Sequence, residues 1–252
     1  MCIRDRTWKK AELLIYLTHK HDLSGTFCCL GRLHPVIAYT YGIFRRQLTL
    51  YDREPNFAEA IPDQQLLADD RAFFDGLGYA GQESIDASDF EGATHIVDLN
   101  ADGVPSHLRE RFDVICNNGT LEHIFHVPNV LRNIGTMLKA GGSVIHVAPS
   151  NNHMDHGFYQ FSPTLFFDYY GANGFDIRDS FLLRYEKKGV EIPWARWGHE
   201  FFDPYALESP DFYDGKLDGA IYTTVFVARK TAESTSDRIP QQGRYVAEWE
   251  QR

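Results

Sequence analysis

The sequence predicts an α/β fold: a doubly wound, mostly parallel sheet of seven strands whose last strand runs antiparallel. Three observations carry this. Short apolar runs bounded by glycine or proline alternate with amphipathic stretches of helical period. The run "FDVICNNGTLEHI" passes from a buried strand straight into amides, a glycine and a hydroxyl, which is how such sheets present polar groups at the carboxyl ends of their strands. Near the other end, "AIYTTVFVARK" alternates Ile221, Thr223, Val225 and Val227, as a closing strand does.

Taken in order, "GTFCCLG" (Gly25 to Gly31) reads as the first buried strand. Helical spacing predicts helices from Pro35 to about Tyr51 and from Pro62 to about Leu77, the second with Leu66, Leu67, Phe73, Phe74 and Leu77 in one stripe. "GLGYAG" breaks the pattern. Short strands follow at Glu83 to Asp86 and Thr94 to Asp98, each ending on an aspartate, and then the strong strand Asp113 to Asn117. "VPNVLRNIGTMLKAGG" predicts a helix with proline in its first turn, a lysine in its last and glycines at its exit. "SVIHVAP" is a strand stopped by Pro149. "SPTLFFDYYGANGF" is a helix with a serine cap, and "FDIRDSFLLRY" is the strand before the last. The domain is expected over residues 7–230, with Thr231 to Asp237 a polar linker to a short tail ending the chain. Met1 to Arg6, "MCIRDR", is what the frame ATG TGT ATA AGA GAC AG of a common transposon sequencing adapter encodes. These six residues are therefore expected to carry neither structure nor function, and the chain to be metagenomic.

Composition narrows the function classes. A formal net charge of -10 with no Lys/Arg run longer than two residues disfavours nucleic acid and anionic membrane as partners. Cys2, Cys28, Cys29 and Cys116 form no C-x-x-C pair, which argues against a zinc ribbon or disulfide framework and for a reducing, cytoplasmic setting. No stretch has the roughly 18 apolar residues of a membrane span. No G-x-G-x-x-G follows the first strand, and G-K-[ST] and G-x-S-x-G are missing, so nicotinamide, nucleotide-triphosphate and serine-hydrolase chemistry are disfavoured.

Read together, "IVDLNADGVPSHLRERFDVICNNGTLEHIFHVPNVLRNIGTMLKAGGSVIHVAP" (Ile96 to Pro149) resembles the middle of class I S-adenosylmethionine-dependent methyltransferases. Those run strand-Asp, F-D-x-V/I, L-E-H, and a helix ending L-K-x-G-G before another strand. The resemblance implies a Rossmann-like fold, S-adenosylmethionine as cofactor, and methyl transfer to oxygen or nitrogen of a small or sugar-containing, glycan-type acceptor. It places Asp98 at the adenine amine, the Leu99 N–H at the adenine ring and Asp86 at the ribose hydroxyls, with Asn117, Asn118 and Gly119 flooring the sulfonium and amino-acid end. The family's glycine motif is reduced here to "CCLGRLHP": Gly31 remains, Cys29 stands where an acid is usual, and Arg32 is the candidate clamp for the cofactor carboxylate. The nearest branch is one of glycan or natural-product cluster enzymes with an L-G-R turn and a downstream "HGFYQFSP".

The loop "SNNHMDHGFYQFSP" (Ser150 to Pro163) is the candidate acceptor site. His156 or His123 would take the acceptor's proton, and Tyr159 and Gln160 would position it. No metal is expected in this reading. Plain structural roles stand beside each of these: a turn aspartate for Asp98 and Asp86, a helix-opening acid for Glu122, a packed turn loop for Ser150 to Pro163, and a satisfied core histidine for His146. Two rival functions remain. One is a methyltransferase-like binding or scaffold protein that lost its cofactor with the glycine motif. The other is a metal-dependent hydrolase using His153, Asp155 and His156, from the likeness of "NNHMDH" to an H-x-H-x-D-H run. The aromatic, Pro/Gly-rich insertion before the last strand is expected to be a lid, a homodimer surface or a packed loop.

Overall fold

The computed structural model describes residues 7–32, 40–56, 61–67, 69–185, 200–201 and 219–250. Along them run α1 (Thr7–Lys20), β1 (Gly25–Leu30), α2 (Tyr41–Thr49), α3 (Asp70–Gly76), β2 (Tyr79–Asp86), β3 (His95–Ile96), β4 (Phe112–Asn118), α4 (Val127–Met137), β5 (Leu138–Asn151), α5 (Pro163–Ala172), β6 (Asp176–Tyr185), β7 (Glu200–Phe201), β8 (Ile221–Arg229) and α6 (Gly243–Glu250). The strands order β3-β2-β1-β4-β5-β8-β6-β7 in one sheet. β1, β2 and β3 pair in parallel, whereas β8 lies antiparallel between β5 and β6. This is the doubly wound sheet with an antiparallel last strand that the sequence predicts, in seven strands. The eighth, β7, is a two-residue addition on β6. Among the described residues no helix is long and apolar enough to cross a membrane.

Two compact units divide the described chain, one from Met1–Asp98 with Arg111–Ile115 and one from Leu99–Glu110 with Cys116–Arg252. In the first, Phe27 of β1 packs on Phe74 and Tyr79 at ring separations of 4.6 and 4.8 Å, and Phe44 of α2 meets Phe73 of α3. Gly25 enters β1 at φ +87°, where the left-handed region favours glycine, and the next N–H, of Thr26, donates to Asp113 Oδ2 at 2.8 Å. Glu83 on β2 accepts two bonds from Arg111 and a third contact from His95 Nε2 at 2.6 Å. The Arg111 hydrogen bonds, against a smaller opposing effect of burial, hold its carboxyl below the usual glutamate range.

Three elements of this unit depart from expectation. α1, where no helix is predicted, buries Ala11, Leu13, Leu14, Ile15, Leu17 and Thr18, so it lacks the polar face that makes a helix legible. The helix expected from Pro62 begins only at Asp70, because Asp69 caps it by accepting from the Ala72 N–H at 2.9 Å, while Leu66 bridges to Thr40. Thr40 likewise starts α2 later than Pro35. Residues 33–39 lie outside the described residues.

In the second unit, Val130, Leu131, Ile134 and Met137 form the buried stripe of α4. The chain leaves this helix directly into β5, so Lys139 lies in the strand and not in the last helical turn. Lys230 supplies the missing cation, its Nζ donating to the carbonyls of Gly135 and Leu138 at 2.8 Å. β5 is buried on both faces from Gly142 to Pro149 and continues past the proline to Asn151 through a register shift against β8. Ser162 caps α5 as expected, accepting from the Thr164 N–H. The stretch expected to be a polar linker is held against α5 by hydrogen bonds. Tyr169 donates to the Ser236 carbonyl at 2.7 Å, and the Asn173 side chain accepts from Thr235 and Arg238 and donates to the Arg238 carbonyl.

Candidate active site

In the first unit, Gly31 follows β1 at φ +72° and its N–H donates to the Ile85 carbonyl at 2.7 Å, so a residue without a side chain sits at the strand's carboxyl end. Asp86 closes β2, half-buried, with Oδ1 accepting from the Ser88 N–H at 3.2 Å. Asp98 follows β3 and is exposed. Arg32 is not poised as a clamp. Its guanidinium donates to the Gly92 carbonyl at 2.9 Å, and its Nε lies 3.8 Å from the buried carboxylate of Asp70.

In the second unit, the carboxyl end of β4 is organised by one buried chain of polar groups. Asn117 is fully buried, and its Oδ1 accepts from the N–H groups of Thr120 and Leu121 at 3.3 and 2.9 Å. Its amide nitrogen donates to Nδ1 of His146 at 3.3 Å. That assigns the His146 proton to Nε2, which stands 2.7 Å from the Tyr170 hydroxyl. Burial without a compensating charge lowers the His146 pKa to about 3, so this imidazole is a neutral structural link and not a base. The Asn117 side chain, expected beneath the sulfonium, is thus bonded within the fold on both its oxygen and its nitrogen. It bends the chain after β4 by replacing backbone partners, while Gly119 at φ +83° donates to the Val147 carbonyl. Asn118 is different: it is buried, and among the described residues its amide nitrogen has no hydrogen-bond partner. An unsatisfied buried donor costs about 1–3 kcal/mol, a cost that an acceptor atom of a bound ligand removes. The Leu99 carbonyl accepts from Asn133, which fixes the turn after residue 98 at its second-unit end.

The turn held by Asn117 is a single 3-10 turn, Leu121–His123, not the helix start expected from L-E-H. It buries Glu122 to 1% exposure and leaves His123 half exposed. Burial lowers the His123 pKa. The loop after β5 folds back onto this turn. Asn152, Asp155 and Gly157 take left-handed φ of +60°, +63° and +75°, and the Phe158 N–H donates to the Glu122 carbonyl at 2.7 Å. His156 Nε2 then lies 3.4 Å, and His123 Nε2 3.9 Å, from Glu122 Oε1. The two rings meet edge to face with centroids 5.1 Å apart.

Tyr159 does not reach into this group, because its hydroxyl donates to the Phe125 carbonyl at 2.9 Å. Its ring instead joins a shelf with Phe125 and Phe158, which are 61% and 65% exposed and lie 5.8 Å apart edge to face. Gln160 holds the loop by accepting from the His153 N–H. The cluster His153, Asp155 and His156 is not formed: His153 Nε2 faces the Thr223 hydroxyl at 3.3 Å, and the set that converges among the described residues is Glu122, His123 and His156. Glu122 is the residue sequence reading undervalued. An acid at a turn start has an ordinary local explanation, and nothing in the sequence shows that the loop thirty residues on will close over it.

The chain matches the family model described as a methyltransferase domain over residues 33–214. No curated protein matches it. Among solved structures it is similar to the 1,6-didemethyltoxoflavin-N1-methyltransferase of Burkholderia thailandensis with bound 1,6-didemethyltoxoflavin and S-adenosylhomocysteine. That likeness has 12% identity, covers 90% of this chain and 80% of that one, and has a TM-score of 0.45. It is also similar to the YcgJ protein of Bacillus subtilis, at 12% identity over 88% and 98% of the two chains with a TM-score of 0.47. A third is the O-methyltransferase from a trans-AT PKS multienzyme of Brevibacillus brevis in complex with S-adenosylhomocysteine, at 11% identity over 90% and 74% with a TM-score of 0.42.

Proposed function

The chain belongs to the methyltransferase-domain family and is a methyltransferase of the S-adenosylmethionine-dependent class, and from that premise we propose that it methylates oxygen or nitrogen of a small-molecule acceptor held by the turn Leu121–His123 and the loop after β5. One observation carries the reading: a buried carboxylate, Glu122, stands behind two accessible imidazoles, beside the exposed rings of Phe125 and Phe158. The cofactor, when bound, supplies a methyl carbon already activated by its sulfonium. The protein must then align an attacking heteroatom in line with it and dispose of that atom's proton.

Residues that fit the cofactor are present in each unit. In the first, Gly31 leaves the backbone after β1 approachable, Asp86 retains a carboxylate oxygen for ribose hydroxyls, and exposed Asp98 is the candidate for the adenine amine. In the second, the Asn118 amide is a buried donor for the cofactor's amino-acid end, with Gly119 and the Leu99 N–H as backbone contacts. On the acceptor side, His156 and His123 face the reacting heteroatom, and Tyr159, Phe125 and Phe158 offer a surface for an aromatic ring or the C–H face of a sugar.

Calorimetric titration with S-adenosylhomocysteine tests the cofactor. Binding is expected, and Asp98→Ala should weaken it about tenfold, on the order of 1.4 kcal/mol for one lost charged hydrogen bond. No binding would leave a methyltransferase-like scaffold as the reading. His156→Ala should abolish methyl transfer from labelled cofactor to a panel of phenols, sugars and amines while sparing cofactor affinity. Undiminished transfer would remove His156 from the site.

A further inference from the structure

We propose that Glu122, His123 and His156 form a binding site for a divalent transition ion of the zinc class on the acceptor side of the catalytic centre. Three donor atoms, one carboxylate oxygen and two imidazole nitrogens, lie within 4.8 Å of one another. Their separations decide between a direct and a bridged arrangement. At 3.4 and 3.9 Å, the two imidazole nitrogens stand farther from Glu122 Oε1 than a charge-assisted hydrogen bond of about 2.7–2.9 Å. Donors bonded at about 2.0–2.2 Å to one tetrahedral ion stand roughly 3.3–3.5 Å apart, and a set lying within 4.8 Å closes to that spacing by a histidine side-chain movement on the order of 1 Å.

Burial points the same way. Glu122 is 1% exposed, and a divalent ion held by its carboxylate supplies positive charge of the kind that makes a buried carboxylate tolerable. The donor set of two nitrogens and one oxygen is that of catalytic zinc sites with an open position. His123 and His156 are 50% and 35% exposed, so the donor set can be reached from solvent, and Phe125 and Phe158 each follow one of these histidines by two residues. The set is also preformed: Asn117 fixes the turn that carries Glu122 and His123, and Gly157 lets the His156 loop approach so closely that a Cβ there would stand 2.7 Å from the Glu122 carbonyl.

The consequence for catalysis rests on the methyltransferase reading. An acceptor hydroxyl bound to the ion loses its proton to solvent more readily. Its oxygen then forms the new C–O bond as the C–S bond breaks, with the bonding pair staying on sulfur. The imidazoles act as ligands and not as the proton acceptor expected of them from the sequence.

The test uses the full chain, purified without a histidine tag and stripped with a chelator, then titrated with Co2+ and followed by its visible ligand-field absorption. Calorimetry with S-adenosylhomocysteine runs in parallel. One Co2+ per chain, displaced by Zn2+, is expected. His123→Ala and His156→Ala, which truncate accessible side chains, should weaken binding by more than about a hundredfold with circular dichroism unchanged. Absence of the absorption, or its retention in both variants, overturns the proposal. Loss of cofactor binding alone would count against the methyltransferase reading and leave the ion site standing, since ion binding is read without cofactor.

Discussion

Lowering the pH from 7 to 5 should destabilise this protein by about 2 kcal/mol through His146 alone. The imidazole is completely buried, bonded to Asn117 on one side and Tyr170 on the other and stacked on Phe166 at 4.4 Å, and burial lowers its pKa to about 3. In the unfolded chain it titrates near 6.5. Between these values the unfolded state binds a proton that the folded state refuses, so stability is full above about pH 6.5 and falls as the pH drops toward 3. Each pH unit in that window is about 1.36 kcal/mol, and pH 5 lies roughly 1.5 units below the unfolded value, which gives the 2 kcal/mol. Urea unfolding at pH 7 and pH 5, on the protein and on His146→Gln, isolates this group, because carboxylates such as Glu83 titrate alike in both. The variant should be less stable at pH 7 and should lose about 2 kcal/mol less on acidification. An equal loss in both proteins would refute a neutral buried His146.

Gly157→Ala should lower stability by about 2 kcal/mol, from a left-handed non-glycine residue and the displaced Phe158 to Glu122 bond, which is a fall of about 4–8 °C in melting temperature. It should also weaken Co2+ binding by driving His156 from Glu122; an unchanged melting curve would show that the loop does not rest on this turn. Gly25→Ala should cost about 2–3 kcal/mol, because φ is +87° and the new Cβ would lie 2.7 Å from the Asp113 Cβ, breaking the bond to the Thr26 N–H. Wild-type urea midpoints would contradict this. Asn118→Leu should leave the fold at least as stable, since it removes an unsatisfied buried donor, but should weaken S-adenosylhomocysteine binding in calorimetry; undiminished affinity would take the amide out of the cofactor's reach.

The sheet was largely legible in the sequence, because strands and amphipathic helices announce themselves by period. β1, β4, β5, α4, α5, β6 and β8 follow patterns of apolar residues and caps that act within a few positions of one another. Legibility failed where the deciding partner is remote or the local pattern is saturated. α1 has apolar residues at Leu13, Leu14 and Ile15 in succession, so no face stands out, and α3 is shortened by a cap that any of several nearby aspartates could have supplied. The resemblance from Ile96 to Pro149 identified the family and with it the cofactor, since those residues lie on contiguous elements. What the amides after β4 do was decided only by tertiary structure. Asn117 turns inward to His146 and Tyr170, Asn118 is left as an open donor, and the bend they create meets a loop thirty residues away. A sequence records that Glu122, His123 and His156 exist. Their convergence depends on three left-handed residues and one backbone hydrogen bond that close the loop, and distances between side chains so far apart in the chain are set by folding alone.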